Sequence, residues 1–175
     1  VFMGDVVKLL NKTLQEKHGI KTIIVSDDNY QLHLNHPALD SAKVDTKELI
    51  NWIVDYMKAE PGIDRVFAIA DLNIIPLNST IRTMLNNGYY PKRNGDIQVI
   101  LKPNYIDAYS KTGTTHGLWN PYDAHIPLLW YGWGIKEGKT NRETYMTDIA
   151  ATIAALLKIQ MPNGNVGHVI SEVLK

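Results

Sequence analysis

The sequence has no cysteine among its 175 residues. That absence excludes disulfides, thiolate catalysis and cysteine-ligated zinc, and it leaves the compartment open, because a cysteine-free chain suits either redox environment. There is no excess charge of either sign: eighteen Lys and Arg balance eighteen Asp and Glu. No electrostatic footprint for nucleic acid or an anionic membrane follows from such a balance. No apolar stretch approaches the ~20 residues of a membrane span, and no charged-then-apolar segment opens the sequence as given. Internal repeats, linkers and low-complexity segments are missing too. What is present is an ordinary globular composition, 45% apolar and 21% charged. Such a chain is long enough for one domain that buries roughly 70% of its unfolded surface.

Apolar periodicity and turn residues place the elements. Val6, Val7, Leu9, Leu10 and Leu14 make a helical stripe over residues 4–17, with lysines and Glu16 opposite and Gly19 after it. Residues 21–25 and 29–34 read as two short strands of a hairpin. Asp45 with Glu48 three residues on starts a helix whose apolar face is Leu49, Ile50, Ile53, Val54 and Met57, ended by Pro61-Gly62. Arg65 to Ala70 reads as a buried strand. Asn78 or Ser79 caps a helix carrying Ile81, Met84 and Leu85, which Gly88 terminates, and Ile97 to Leu101 is a strand stopped by Pro103. Ile126 to Tyr131 is an apolar, strand-like run that stops at Gly132. Thr147 caps a helix with Ile149, Ile153, Leu156 and Leu157 on one face, and Val169, Ile170, Val173 and Leu174 suggest a last short helix. This alternation predicts an α/β or α+β architecture, a layered mixed sheet with flanking helices, in a single domain over residues 1–175.

Residues 112–134 hold the candidate chemistry. Gly113 and Gly117 bracket His116 in a segment too small and turn-prone for a helix. A histidine held there is either a metal ligand or a ring satisfied by loop backbone. His33 and His36 lie at a strand end before Pro37 and read as surface or hairpin residues. Arg93 either grips a phosphate or, as expected, makes a turn and a salt bridge with Asp96. Trp119, Trp130, Tyr131 and Trp133 read as core aromatics beside a buried strand.

Three stretches carry a family likeness. The first is Gly-Tyr-Tyr-Pro-Lys-Arg-Asn-Gly-Asp-Ile-Gln-Val-Ile-Leu-Lys-Pro, residues 88–103. The second is Gly-Thr-Thr-His-Gly, residues 113–117, followed by Tyr-Asp-Ala-His-Ile-Pro-Leu-Leu-Trp-Tyr-Gly, residues 122–132. The third is Thr-Asp-Ile-Ala-Ala-Thr-Ile-Ala-Ala-Leu-Leu, residues 147–157, with Ala151 where the family commonly has proline. In this order and spacing they resemble the C-terminal part of the alkaline phosphatase superfamily, and specifically the bacterial alkaline phosphatases of the type I phosphodiesterase/nucleotide pyrophosphatase branch. The likeness is good over residues 88–174 and looser over 1–87.

The resemblance implies that His116 is a metal ligand, the third protein ligand of one of two active-site Zn2+ ions. It gives the Asp123–His125 stretch a structural role, with Asp123 as one candidate partner for the other nitrogen of His116. It assigns no catalytic residue to this chain, Thr112, Thr114 and Thr115 included. The threonine or serine nucleophile and the other zinc ligands lie upstream in such enzymes, and residues 1–115 contain no adjacent Asp-His pair. The chain, which starts at Val1, is therefore expected to be the truncated last third of a larger enzyme. Intact, that enzyme would hydrolyse phosphate monoesters through a phospho-enzyme intermediate; the supplied chain alone would be inactive. The implied partners are a small-molecule phosphate ester and the missing N-terminal part of the same protein, with no nucleic acid and no membrane span. The implied location is periplasmic or extracellular. Two alternatives stay open: a phosphodiesterase or nucleotide pyrophosphatase on the same scaffold, and a non-catalytic binding or structural domain.

Overall fold

A computed structural model describes residues 3–108 and 117–174. The chain divides into two units, Val1–Ala124 and His125–Lys175. In the first unit the apolar stripe near the start folds as α1, Met3–His18, and buries Met3, Leu10 and Leu14. The polar Asn11 docks α1 onto the next strand: its Oδ1 accepts from Ile23 N at 2.9 Å and Ile24 N at 2.8 Å, and its Nδ2 donates to Ile24 O. The hairpin is β1, Ile24–Ser26, and β2, Gln31–Leu34, joined by a 3-10 turn over Asp28–Tyr30. A short α2, His36–Ser41, follows, and then α3, Thr46–Lys58, which buries Leu49, Ile53, Val54 and Met57. Asp45 caps α3 as its position requires, its Oδ1 accepting from the Lys47 and Glu48 amides at 2.9 and 3.0 Å.

Strand β3 runs over Ile63–Ala68, two residues earlier than expected, with Asp64 and Arg65 exposed. Asn78 caps α4, Ser79–Gly88, through Ile81 N. Strand β4 is Ile97–Leu101 and is buried at every position. The sheet order is β1-β2-β4-β3, and every pairing is antiparallel. Because side chains alternate along a strand, β4 feeds two cores. Ile97, Val99 and Leu101 join the main cluster with α1, α3, Val66 and Leu118, while Ile100 joins Phe67 and Leu72 beneath α4 and Trp119. Arg82 of α4 donates to Leu72 O at 2.7 Å and to Ile75 O, pinning the turn that precedes it.

Gln98, 2% exposed, is the one polar residue of β4. A buried amide must have its donors and acceptors filled, and here a ladder fills them. Gly95 N donates to Gln31 Oε1, Gln31 Nε2 donates to Gln98 Oε1, and Gln98 Nε2 donates to Tyr30 O and Val99 O. The Gly95 backbone sits so close to β2 that an added Cβ would lie 2.8 Å from Leu32 O. Only glycine fits that approach.

The second unit is built on α6, Asp148–Leu157, with α5 denoting the one-turn helix Pro121–Ala124 at the end of the first unit. Thr147 precedes α6 as expected, but its side chain makes no capping bond. The buried Asp148 acts instead, accepting from Tyr145 N at 3.0 Å and His168 N at 2.8 Å. Thr152 donates to Asp148 O and accepts from Ile170 N, tying the C-terminal segment to the helix. Gly167 passes so near that an added Cβ would sit 2.0 Å from Thr147 O. The expected last helix is only a 3-10 turn over Ser171–Val173, beside an isolated antiparallel bridge between Ile135 and Leu174.

One expected element is overturned. Ile126 to Tyr131 forms no strand, and Ile126, Leu129 and Tyr131 are exposed. Tyr131 and Trp133 are therefore not core aromatics; Trp119 alone of the four packs against a core cluster. An apolar run becomes a strand only where other backbone is present to pair with it, and among the described residues nothing pairs with this one.

Candidate functional site

The chain leaves the sheet at Leu101 and reaches the segment that carries His116 through Asn104 to Asp107. His116, with Thr112, Gly113, Thr114 and Thr115, lies outside the described residues. Its two flanks are described, and three hydrogen bonds hold them. Asn104 N donates to Tyr122 Oη at 2.8 Å. Met3 N, at the head of α1, donates to Asp107 Oδ1 at 2.9 Å. On the far side, Leu118 N donates to Asp123 Oδ2 at 2.8 Å. Leu118 is buried in the main core and Trp119 packs against the second cluster. Asn120 O then accepts from Asp123 N and Ala124 N, both at 2.8 Å, closing α5 with Pro121 in its first turn. The described flanks on both sides of that segment are thus tied to core elements.

Asp123 thus holds the far flank through the Leu118 backbone amide. The anchors Tyr122 and Asp107 were not singled out from sequence. The Asn120-Pro121 pair is a helix-start signal that points to α5 and so to Tyr122. No local pattern marks Asp107, whose partner is 104 residues away.

The remaining candidates are dispersed. His33 sits half-buried in β2 opposite Ser26. His125 is exposed in the second unit. His36 is a surface residue with a partner, its Nε2 donating to Asp96 Oδ1 at 2.8 Å. The expected Arg93–Asp96 salt bridge is absent. Asp96 Oδ1 meets His36 and Oδ2 accepts from Leu34 N at 2.8 Å, so Arg93 lies over the Tyr90 ring at 5.6 Å instead. It borders an open cleft of about 740 Å³ with Asn29, Gln31, Gly88, Tyr90 and Asn94.

Among the described residues no three His, Asp or Glu side chains gather as metal ligands, so they do not fit a zinc site by themselves. Perturbed acids serve structure. Burial pushes the Asp148 carboxyl up, but the amides of His168 and Tyr145, aided by the charges of His168 and Arg142, outweigh it and hold it below the ordinary range. Glu172 is held down at about 2 by its exposed fork with Arg142, at 2.8 and 2.9 Å. Neither belongs to the His116 loop. No helix among the described residues is long and apolar enough to cross a membrane.

No family model matches the chain. Individual proteins do. It is 42% identical over 173 residues, 99% of its length, to the alkaline phosphatase PafA of Elizabethkingia meningoseptica, of which it covers 32%. It is 43% identical over 172 residues to a protein of Myroides odoratus named a calcium-transporting ATPase, covering 96% of this chain and 31% of that protein. To the alkaline phosphatase PhoV of Synechococcus elongatus it is 40% identical over 147 residues, 84% of this chain and 26% of the relative. The crystal structure of wild-type PafA superposes with a TM-score of 0.90 at 42% identity, over 98% of this chain and 33% of that one. The chain spans about a third of the length of the relatives it matches. Sequence and fold together make it the counterpart of the C-terminal part of the bacterial alkaline phosphatases represented by PafA and PhoV.

Proposed function

We propose that this chain is the C-terminal part of a larger, zinc-dependent alkaline phosphatase that hydrolyses phosphate monoesters, with His116 as one zinc ligand. The observation that carries the reading is the 42% identity to PafA across 99% of the chain, joined to a TM-score of 0.90. Alkaline phosphatases are hydrolases, and relatives of that kind imply a metal cofactor in general terms. The division of labour among the three family-like stretches supports His116 in particular. Gly95 and Asp96 of the first, and Asp148 and Thr152 of the third, are committed to holding the fold. Of the middle stretch the described flanks are anchored, and the resemblance assigns the metal role to His116 between them. Zinc suits an imidazole nitrogen and supplies Lewis-acid polarisation of a phosphoryl oxygen when bound. The nucleophile and the other ligands are assigned to the upstream part of the intact protein, and export to the periplasm completes the reading.

The test is His116→Ala in the full-length protein. Bound zinc and phosphatase turnover should fall together by at least about tenfold, the scale on which even indirect zinc partners act. The melting temperature of the metal-free protein should stay within a degree or so, because the described core clusters are built by other residues. Full zinc content with full turnover would show the ligand assignment to be wrong; unfolding of the metal-free variant would make His116 structural. The Myroides relative's name supports including ATP in the assay beside an aryl phosphate and its diester. Turnover confined to ATP or to the diester would replace the monoester reading.

A further inference from the structure

The chain contains three Asn-Gly pairs, Asn87-Gly88, Asn94-Gly95 and Asn163-Gly164. Such a pair is chemically labile, because the glycine amide nitrogen, with no side chain beside it, can attack the asparagine carboxamide carbon. The fold decides whether it does. The nitrogen must be free, and the carboxamide must be able to turn onto it. Asn94-Gly95 is locked twice: Gly95 N donates to Gln31 Oε1 at 2.9 Å, and Asn94 Oδ1 accepts from Tyr90 N. Asn87-Gly88 is exposed but closes α4, where the helical ladder commits its backbone. Asn163-Gly164 has neither restraint. Both residues are exposed, and neither Gly164 N nor the Asn163 side chain makes a hydrogen bond among the described residues. Chain neighbours apart, nothing lies within 4 Å of a Cβ added at Gly164. The two residues are the centre of a turn that Asn165 N closes by donating to Pro162 O at 3.2 Å, with Gly164 at φ +73°.

We propose that Asn163-Gly164 is a site of spontaneous deamidation and isoaspartate formation, with water as the co-reactant. The Gly164 nitrogen loses its proton to solvent and bonds to Asn163 Cγ. The Cγ–Nδ2 bond breaks, and ammonia leaves after taking up a proton from solvent. Water then opens the cyclic imide. Cleavage between the Gly164 nitrogen and Asn163 Cγ gives aspartate; cleavage between that nitrogen and the Asn163 backbone carbonyl carbon gives isoaspartate. No electrons are exchanged with an outside reagent. Either product adds a negative charge to a chain whose formal net charge is zero, and isoaspartate also lengthens the backbone of the turn by one carbon. The turn leads straight into the segment strapped to α6. Asn165 Nδ2 donates to Gly167 O at 2.9 Å, Gly167 packs against Thr147 O, and His168 N and Ile170 N donate to Asp148 and Thr152. Isoaspartate at position 163 therefore loosens the C-terminal segment from the helix.

The experiment ages the full-length protein in warm, mildly alkaline buffer, both native and unfolded in guanidinium chloride. Peptide masses then locate each conversion, and enzymatic methylation specific for isoaspartate counts the isomer. In the native protein Asn163 should convert at least about tenfold faster than Asn94, whose two hydrogen bonds must open first, and faster than helical Asn87. In the unfolded protein all three should convert at similar rates. Conversion of Asn163 no faster than that of Asn94 in the native protein would overturn the proposal. The consequence has its own readout. After ageing, the His168 and Ile170 amides should exchange hydrogen faster in the wild type than in an Asn163→Ser variant aged alongside it. Equal exchange in fully converted wild type would refute the loosening of the C-terminal segment.

Discussion

Asp96 and Asp148 show how a family-like motif acquires its carboxylates. Asp96 receives Leu34 N and His36 on its side chain, while its own amide and carbonyl bond Leu32 O and Ile69 N. One residue thereby clamps β2, the start of α2 and the turn after β3. Asp148 does the same in the second unit, and its acid strength makes that measurable. Its carboxyl is held below the ordinary range in the folded state, so the unfolded chain binds the proton more readily. The stabilisation is present above the unfolded pKa of roughly 4 and is lost as pH falls through the lower folded value. Asp148→Asn should therefore remove part of the acid-side decline in stability. At neutral pH it should lower stability by about 1 kcal/mol, because one of the two amide donors loses its charged acceptor. Urea unfolding at pH 7 and pH 3 checks both; an unchanged acid limb would mean that Asp148 does not titrate with folding. None of this was legible residue by residue. The Arg93–Asp96 pairing was expected from their closeness in sequence, but the oxygens of Asp96 are taken by residues about sixty positions away.

At the scale of elements, what was legible was what local chemistry decides. The helices α1, α3, α4 and α6 and the strand β4 lie where stripe, cap and breaker put them. Asp45 caps through its side chain and Thr147 does not. Asp45→Ala should accordingly destabilise the chain by about 1 kcal/mol, while Thr147→Ala should change it by less than about 0.5 kcal/mol. Chemical denaturation of the two variants side by side tests the distinction, and equal losses would contradict it. Ile126 to Tyr131 was misread for a reason that is not local. Its sequence satisfies the strand pattern, yet pairing is a property of two segments, and among the described residues none pairs with this one. The candidate site was legible to the same limited degree. Histidine between glycines marks a loop in sequence and Asn120-Pro121 points towards Tyr122, but Asp107 acts across 104 residues, which no window reveals.

For the whole molecule, charge balance and the share of its relatives that it spans, about a third, dominate. With no net charge and a calculated pI near 7.2, the chain lacks the repulsion that keeps partly apolar surfaces apart. The 175-residue chain should not hydrolyse a generic aryl phosphate, because a two-metal site needs more ligands than His116 and a nucleophile besides. Metal-dependent turnover by the purified chain, lost on His116→Ala, would refute its reading as a fragment. The sheet order carries a last consequence, for synthesis. Strand β4 is the last of the four to emerge from the ribosome, yet it lies between β2 and β3 in the sheet and hydrogen-bonds to both. Until residue 101 is made, the nascent chain holds a hairpin and a lone strand with open edges, and no rearrangement of what has already been translated can close them. At about 5–20 residues per second, that leaves a window of seconds in which those edges wait for β4. The ladder through Gln31 and Gln98 then works as a latch, engaging only when β4 enters in the correct register.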